Sequence, residues 1–113
     1  MSELHAVAHK MVEKGKGILA ADESTPTCTK RFESINTDST SESRNFYRNM
    51  LFTTEDIEKY ISGIILFDET FHQSELSSGI KFPEYLTSKN IFPGIKVDQG
   101  LEDFSPYEKL TKG

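Results

Sequence analysis

Cysteine, long hydrophobic runs and an excess of positive charge are all scarce in this sequence. Cys28 is the only cysteine, so no intrachain disulfide can form, and we expect a reducing compartment, the cytoplasm. The longest unbroken apolar run, from Ile64 to Phe67, is far too short to span a bilayer, so we expect no membrane partner. Lysine and arginine number 13 against 18 acidic residues, a net charge of −5, which argues against nucleic-acid binding. The N-terminus lacks a basic flank followed by an apolar stretch, so no secretory signal is expected.

Apolar periodicity divides the 113 residues into alternating helices and strands. A stripe at i, i+3, i+4 and i+7 predicts a helix before residue 15. Runs that are apolar on both faces predict buried strands at 17–21, 61–67 and 91–98. The order α, β, α, β, α, β is typical of parallel strands with helical crossovers in an α/β fold. No linker or internal repeat divides the chain, so we expect one domain with a poorly ordered tail at 101–113.

Capping residues in the sequence indicate where two helices begin. Thr25 followed by Pro26 is typical of an N-cap and a first helical residue. Ser39 and Glu42 have the spacing of a capping box. The helix that follows Ser39 is expected to bury four apolar side chains, namely Phe46, Tyr47, Met50 and Leu51.

All three predicted strands end in charged residues, and ligands of parallel α/β sheets bind at the carboxyl ends of strands. These ends carry Asp22-Glu23, Asp68-Glu69, and Lys96 with Asp98. Because side chains alternate along a strand, Lys96 and Asp98 share one face, and we expect Ile95 and Val97 to pack on helices from the other. A buried lysine needs a partner, for which Asp22 and Asp98 are candidates. A solvated strand end explains any one of these charges, but the agreement of three strands favours a polar site.

A second candidate site lies between the first strand and the second helix. Ser24 and Thr27 offer hydroxyl groups at a helix N-terminus, where backbone N–H groups attract phosphate. Arg31 follows about two turns later and could bind an anion through both ends of its guanidinium. Helix capping is the commoner use of serine and threonine at such a position, so both interpretations stay open.

Two other groups of residues have simpler explanations. His5, His9 and Glu13 follow one helical stripe and are types that bind zinc. Because the stripe flanks the apolar face of the helix, solvated polar residues explain it well. Cys28 has no histidine nearby in sequence, so a small buried apolar side chain is favoured over a nucleophile.

The segments that carry these candidates resemble the N-terminal signature of class I fructose-bisphosphate aldolase. The motifs match in order and spacing over roughly residues 8 to 100, which makes the resemblance specific. They are Gly15-Lys16-Gly17-Ile18-Leu19-Ala20-Ala21-Asp22-Glu23-Ser24-Thr25, Lys30-Arg31, Arg44-Asn45-Phe46-Tyr47-Arg48, Leu51-Phe52, Ile64-Ile65-Leu66-Phe67 with Glu69-Thr70, and Gly94-Ile95-Lys96-Val97-Asp98.

The resemblance implies a fold, a reaction and a set of site residues. The fold is a (β/α)₈ barrel, and the reaction is the reversible cleavage of fructose 1,6-bisphosphate through a lysine Schiff base, with no metal or other cofactor. Asp22 resembles the aspartate that assists proton transfer, and Lys96 the lysine that places the substrate. The resemblance assigns contacts with the sugar-phosphate substrate to Ser24, Thr27, Arg31 and Arg44. Thr27 stands where many members have serine. Pro26 stands where many have glycine, and it removes one backbone N–H.

The length of the chain departs from the family pattern. A barrel of this type takes about 250 residues, whereas these 113 hold its first three strands, without the Schiff-base lysine. We therefore expect the 113-residue chain to be inactive alone, while the full-length form allows a homo-oligomer. Two alternatives stay open: a non-catalytic interaction or sugar-phosphate-binding protein derived from an aldolase, and an independent flavodoxin-like α/β domain.

Overall fold

A computed structural model describes residues 2–12, 15–98, 101–105 and 108–111. The chain begins with helix α1 (Ser2–Met11), strand β1 (Gly17–Ala21) and helices α2 (Thr25–Glu33) and α3 (Ser41–Phe52). A 3₁₀ turn (Ile57–Lys59) leads into β2 (Ile61–Leu66), which is followed by α4 (Asp68–Phe71), α5 (Phe82–Ser88) and β3 (Phe92–Ile95). The last elements are β4 (Leu101–Ser105) and β5 (Glu108–Thr111). The alternation of helices and strands predicted from the sequence is confirmed.

The first three strands form one parallel sheet in the order β1-β2-β3. β2 lies in the centre, with Ala21 opposite Leu66 on one side and Ile95 opposite Leu66 on the other. All three strands therefore end at the same edge of the sheet. No helix among the described residues is long and apolar enough to cross a membrane.

The hydrophobic core lies between this sheet and the helices that connect its strands. Ile64 and Leu66 point from β2 into the core, where Phe52 of α3 meets Phe82 of α5 edge to face, with ring centroids 4.9 Å apart. Such aromatic pairs stabilise a core beyond the area they bury. Four further buried side chains complete the core: Ala21, Ile57, Leu86 and Ile91. The core therefore fixes the helices to one face of the sheet.

Both predicted helix starts are displaced by one residue. Ser24, not Thr25, is the N-cap of α2. Thr40 is the N-cap of α3, where its hydroxyl accepts from the Ser43 N–H at 3.0 Å and the Ser43 hydroxyl accepts from the Thr40 N–H at 2.8 Å. The Ser39–Glu42 capping box was wrong because the Ser39 hydroxyl accepts hydrogen bonds from Thr29 and Arg44.

The predicted buried face of α3 is only partly right. Tyr47 and Leu51 are half-buried, and Leu51 packs against the core, whereas Phe46 and Met50 are 62% and 55% exposed. The fully buried side chains of this helix are Arg48 and Phe52. Arg48 and Phe52 are one helical turn apart, so they lie on the same face. This face meets the sheet because Arg48 makes hydrogen bonds to residues at the end of β1, which apolar periodicity does not reveal.

The third strand is shorter than predicted and its end is uncovered. β3 stops at Ile95, and Val97 beyond it is 74% exposed. The prediction that Ile95 and Val97 pack on helices is wrong, because in the described part of the chain β3 is followed by strands and not by a helix.

The segment from residue 101 onward contains the antiparallel pair β4–β5, which forms a separate two-stranded sheet. The sequence pattern predicted a poorly ordered tail at 101–113. The backbone of this segment is strand-like where it is described, and poor order there stays a prediction.

Candidate active site

Lys96 and Asp22 come together at the carboxyl ends of the parallel strands. Lys96 Nζ lies 2.8 Å from Asp98 Oδ1 and 3.7 Å from Asp22 Oδ2. Asp22 follows β1 and Lys96 follows β3, so the contact crosses the end of β2 between them. The backbone N–H of Lys96 still donates to the Leu66 carbonyl at 2.8 Å, which fixes the lysine to the sheet. The predicted cluster of opposite charges is therefore present.

These contacts keep Lys96 charged. The hydrogen bond to Asp98 is the largest cause that raises the pKa of Lys96, and the charges of Asp98 and Asp22 raise it further. Desolvation acts in the opposite direction and is outweighed. These contacts therefore favour the ammonium form of Lys96, which donates hydrogen bonds to anions and hydroxyl groups.

Glu23, the neighbour of Asp22, faces the helices instead of the sheet interior. Its carboxylate accepts a hydrogen bond from Tyr47 Oη at 3.0 Å and pairs with Arg31. Arg48 Nη2 lies 3.6 Å from the other carboxylate oxygen. Burial alone would raise the pKa of Glu23, but hydrogen bonds from its own backbone and from Tyr47, with the charges of Arg48 and Arg31, lower it overall. Glu23 therefore holds a negative charge behind the site.

The hydroxyl groups at the start of α2 are not used for capping. Ser24 occupies the N-cap position with no side-chain capping bond, and its Oγ lies 3.1 Å from Thr27 Oγ1. Pro26 in the first turn supplies no N–H. Of the two interpretations of this segment, helix capping by the Ser24 side chain is excluded by the geometry. The hydroxyl pair is half-buried.

The two arginines that the sequence assigned to substrate are in different situations. The Arg31 side chain is 58% exposed and pairs with the Glu23 carboxylate. Arg44 donates from Nε and Nη2 to the two oxygens of Glu69, at 2.7 and 2.9 Å, and from Nη1 to Ser39 at 2.8 Å. Arg44 is therefore engaged inside the chain, and no contact joins it to Lys96 or Asp22.

Sequence reasoning did not assign a role to Arg48. This side chain donates to the carbonyl oxygens of Ala21 and Glu23 from a fully buried position. The available signal was the spacing of Arg44, Arg48 and Phe52, which places two arginines and a core residue on one stripe of α3.

The structure also shows the surroundings of the candidate metal ligands and of the cysteine. His5 and His9 stack with ring centroids 6.2 Å apart, while Glu13 lies outside the described residues. Across the described ranges no group of three histidine, cysteine or acidic side chains is arranged to hold a metal ion. Cys28 is a buried free thiol, as expected of a small apolar residue.

Comparison with known proteins gives one consistent family. The family model for fructose-bisphosphate aldolase class-I matches residues 3–113. Fructose-bisphosphate aldolase 2 of Caenorhabditis elegans is 52% identical over 88% of this chain and 27% of its own length. Fructose-bisphosphate aldolase 1 of Toxoplasma gondii is 50% identical over 98% of this chain and 31% of its own length.

A solved structure shows the same likeness in three dimensions. The fructose-bisphosphate aldolase of Plasmodium falciparum, crystallised with TRAP and a small-molecule inhibitor, superposes with a TM-score of 0.88. It is 48% identical in sequence, and the match covers 97% of this chain and 32% of that one. The chain thus spans about a third of the length of the relatives it matches, and its α/β fold with three parallel strands is consistent with part of a (β/α)₈ barrel.

Proposed function

This chain belongs to the class I fructose-bisphosphate aldolase family, and we propose that it supplies one side of the active site of such a lyase. The reaction is the reversible cleavage of fructose 1,6-bisphosphate into two triose phosphates in glycolysis. The observation that supports this proposal most directly is the Lys96–Asp22–Asp98 cluster at the carboxyl ends of β1 and β3, where barrel enzymes bind their substrates. The free thiol of Cys28 is consistent with a cytoplasmic location.

Lys96 binds the substrate and does not attack it. A Schiff base needs an uncharged amine, and the neighbouring carboxylates of Asp98 and Asp22 hold the pKa of Lys96 above its ordinary value. Its ammonium group instead donates hydrogen bonds to substrate hydroxyl and phosphate oxygens. The Schiff-base lysine of the family belongs to a segment outside these 113 residues.

Asp22 moves the proton. Its carboxylate lies at the edge of the sheet interior, a quarter exposed, with Lys96 as its neighbour. A carboxylate in this position accepts the proton of a substrate hydroxyl group as the carbon–carbon bond breaks.

The start of α2 takes a phosphate group. Ser24 and Thr27 offer hydroxyl groups beside the helix N-terminus, and exposed Arg31 offers a guanidinium. Binding of phosphate requires Arg31 to exchange its contact with Glu23. Substrate binding by Arg44 stays a proposal, since its present hydrogen bonds to Glu69 and Ser39 occupy both ends of its guanidinium.

A hybrid enzyme tests this function. The 113-residue chain replaces the matching third of the Plasmodium falciparum aldolase, whose fold it shares. We expect the hybrid to cleave fructose 1,6-bisphosphate, and borohydride reduction in the presence of substrate to leave an adduct on a lysine outside this chain. The 113-residue chain alone should give neither cleavage nor adduct.

Two results would contradict the proposal. An adduct on Lys96 would show that this amine is the nucleophile. A folded hybrid that binds fructose 1,6-bisphosphate without cleaving it would instead favour a sugar-phosphate-binding protein.

A further inference from the structure

A buried arginine lies directly behind Asp22. Arg48 is 1% exposed, and no step of the proposed reaction uses it. Its Nε donates to the Ala21 carbonyl oxygen at 3.1 Å, and its Nη2 donates to the Glu23 carbonyl oxygen at 2.8 Å. These carbonyl groups belong to the residues immediately before and after Asp22. One guanidinium therefore holds the backbone on both sides of the carboxylate.

The backbone at Asp22 has little other regular support. β1 ends at Ala21, and α2 begins at Thr25, so residues 22–24 lie outside both elements. The Ala21 carbonyl belongs to the peptide group that joins Ala21 to Asp22, and the Glu23 carbonyl belongs to the peptide group that joins Glu23 to Ser24. Holding both oxygens on one rigid planar group restrains the short segment between them, and with it the direction in which the Asp22 side chain leaves the backbone.

We infer that Arg48 is the positioning residue for Asp22: its two-point hold on the flanking carbonyl groups places the carboxylate against Lys96 and the substrate. This inference rests on the proposed function, in which Asp22 transfers a proton. Arg48 contacts neither substrate nor reacting atoms and acts only through the geometry of Asp22.

The remaining contacts of Arg48 offset the cost of burying its positive charge. Glu23 Oε1 lies 3.6 Å from Nη2, the Tyr47 ring centroid lies 5.3 Å from Cζ, and Cys28 Sγ lies 3.4 Å from Nη1. A buried charge is tolerated when it is paired and hydrogen-bonded in this way. Lysine cannot replace it, because an ammonium group is a point donor and lacks the planar fork that reaches two carbonyl oxygens at once.

A double-mutant cycle in the hybrid enzyme tests the inference. We expect Arg48→Lys to lower kcat about 10²-fold, the scale of a small misplacement of a catalytic group. In the Asp22→Asn background the same substitution should lower kcat less than about 3-fold, because interacting residues do not act additively. Cys28→Ala removes the third contact of Arg48 and leaves both carbonyl contacts in place, so its kcat should match the unmodified hybrid.

A second readout does not depend on catalysis. The pKa of Lys96, followed by NMR of its side-chain nitrogen, should fall when Asp22→Asn removes the nearby charge. Arg48→Lys should lower it in the same direction by moving Asp22 away, and should lower it no further once Asp22→Asn is present. If Arg48→Lys folds poorly, the neutral variant Arg48→Gln, which reaches only one carbonyl oxygen, serves in the same cycle.

The two proposals fail in different ways. An unmodified hybrid without lyase activity contradicts the proposed function, and the pKa cycle then decides the role of Arg48. Equal loss of kcat in both backgrounds overturns the inference. The inference is also overturned if the Arg48 variant loses thermal stability while the pKa of Lys96 stays unchanged. Arg48 would then be a purely structural residue.

Discussion

Two adjacent carboxylates point in opposite directions and do different work. Along an extended backbone successive side chains alternate faces, so Asp22 reaches Lys96 on the inner side of the sheet while Glu23 reaches Tyr47 and Arg31 on the helix side. One step in the sequence thus separates the carboxylate that we propose faces the substrate from a carboxylate that pairs with the helices. The distinction predicts different consequences for removing each charge.

Asp22→Asn should lower kcat of the hybrid enzyme by about 10²–10⁴-fold, the range of a general acid–base group. The asparagine side chain is nearly isosteric, so packing changes little, but the proton acceptor is lost. Steady-state kinetics with fructose 1,6-bisphosphate measures the effect, and thermal unfolding shows whether the fold is retained.

Asp38→Asn, in the exposed loop before α3, is the matched control and should leave kcat unchanged. Turnover of the Asp22→Asn variant near that of the control would return Asp22 to the role of a solvated charge at a strand end.

Glu23→Gln should remove part of the acid sensitivity of the fold. Because the pKa of Glu23 is lowered in the folded chain, its stabilising contribution is complete above the ordinary glutamate pKa of about 4.3 and is lost as the pH falls through the lowered value. Urea unfolding of the hybrid at pH 7 and below pH 4 measures this difference.

We expect the unmodified hybrid to lose more stability between these pH values than the Glu23→Gln variant does. Glu55→Gln, an exposed change in the turn after α3, should behave like the unmodified hybrid. Equal acid sensitivity in all three would show that the contacts of Glu23 contribute nothing to folding.

Local hydrogen bonds and backbone conformation determine where the helices around the site begin and end. Thr40 starts α3 through a reciprocal pair of hydrogen bonds with Ser43. Asn90, with φ of 61°, allows the chain to reverse after α5 and enter β3. Because α3 carries both Arg44 and Arg48, a stable first turn helps to hold these two side chains in place beside the site.

Thr40→Ala should destabilise the hybrid by about 1 kcal/mol, since the Ser43 N–H loses its acceptor at the helix start. Thr40→Ser keeps an oxygen at the same place and should restore most of the loss. Urea unfolding measures both variants, and an alanine variant as stable as the serine variant would show that the cap does not support α3.

Local pattern was enough for the strands but not for the helix faces. β1 was predicted to the residue and β2 to within one residue, because parallel strands of an α/β sheet are continuous apolar runs bounded by charge. The predicted burial holds for β2, but three of the five residues of β1 are exposed because β1 is an edge strand. Asp22 and Asp98 were both candidate partners of Lys96, and both contacts are present. The buried face of α3 was predicted only in part, because Arg48 is drawn inward by carbonyl oxygens 25 and 27 residues away in the chain, and no periodicity reports such a contact.

At the scale of the whole molecule, the described chain leaves much apolar surface uncovered. Ile35, in the turn after α2, lines one exposed patch with Phe46 and Met50 of α3. Ile95 at the end of β3 and Val97 beyond it are exposed as well. The radius of gyration is 16.0 Å, against about 13 Å for a compact domain of 100 residues. β1 and β3 are both edge strands of the sheet, and unpaired edges are templates for association.

The 113-residue chain studied alone should therefore self-associate or pack loosely. Its amides should exchange slowest in β2, which is paired on both sides, and fastest at 101–113, where an isolated two-stranded sheet is marginal in water. Size-exclusion chromatography and hydrogen exchange measure these properties. A monodisperse monomer with strong protection in all three parallel strands would contradict the prediction and favour an independent binding domain.

The contact between Asp22 and Lys96 also constrains the order of folding. It joins residues at the two edge strands, which are held in place only through β2 between them. Bringing together such distant parts of a chain costs loop-closure entropy before the contact is rewarded. We therefore expect the charged pair to form only after both edge strands have docked on the central strand, so that the hydrophobic core is assembled before the polar cluster.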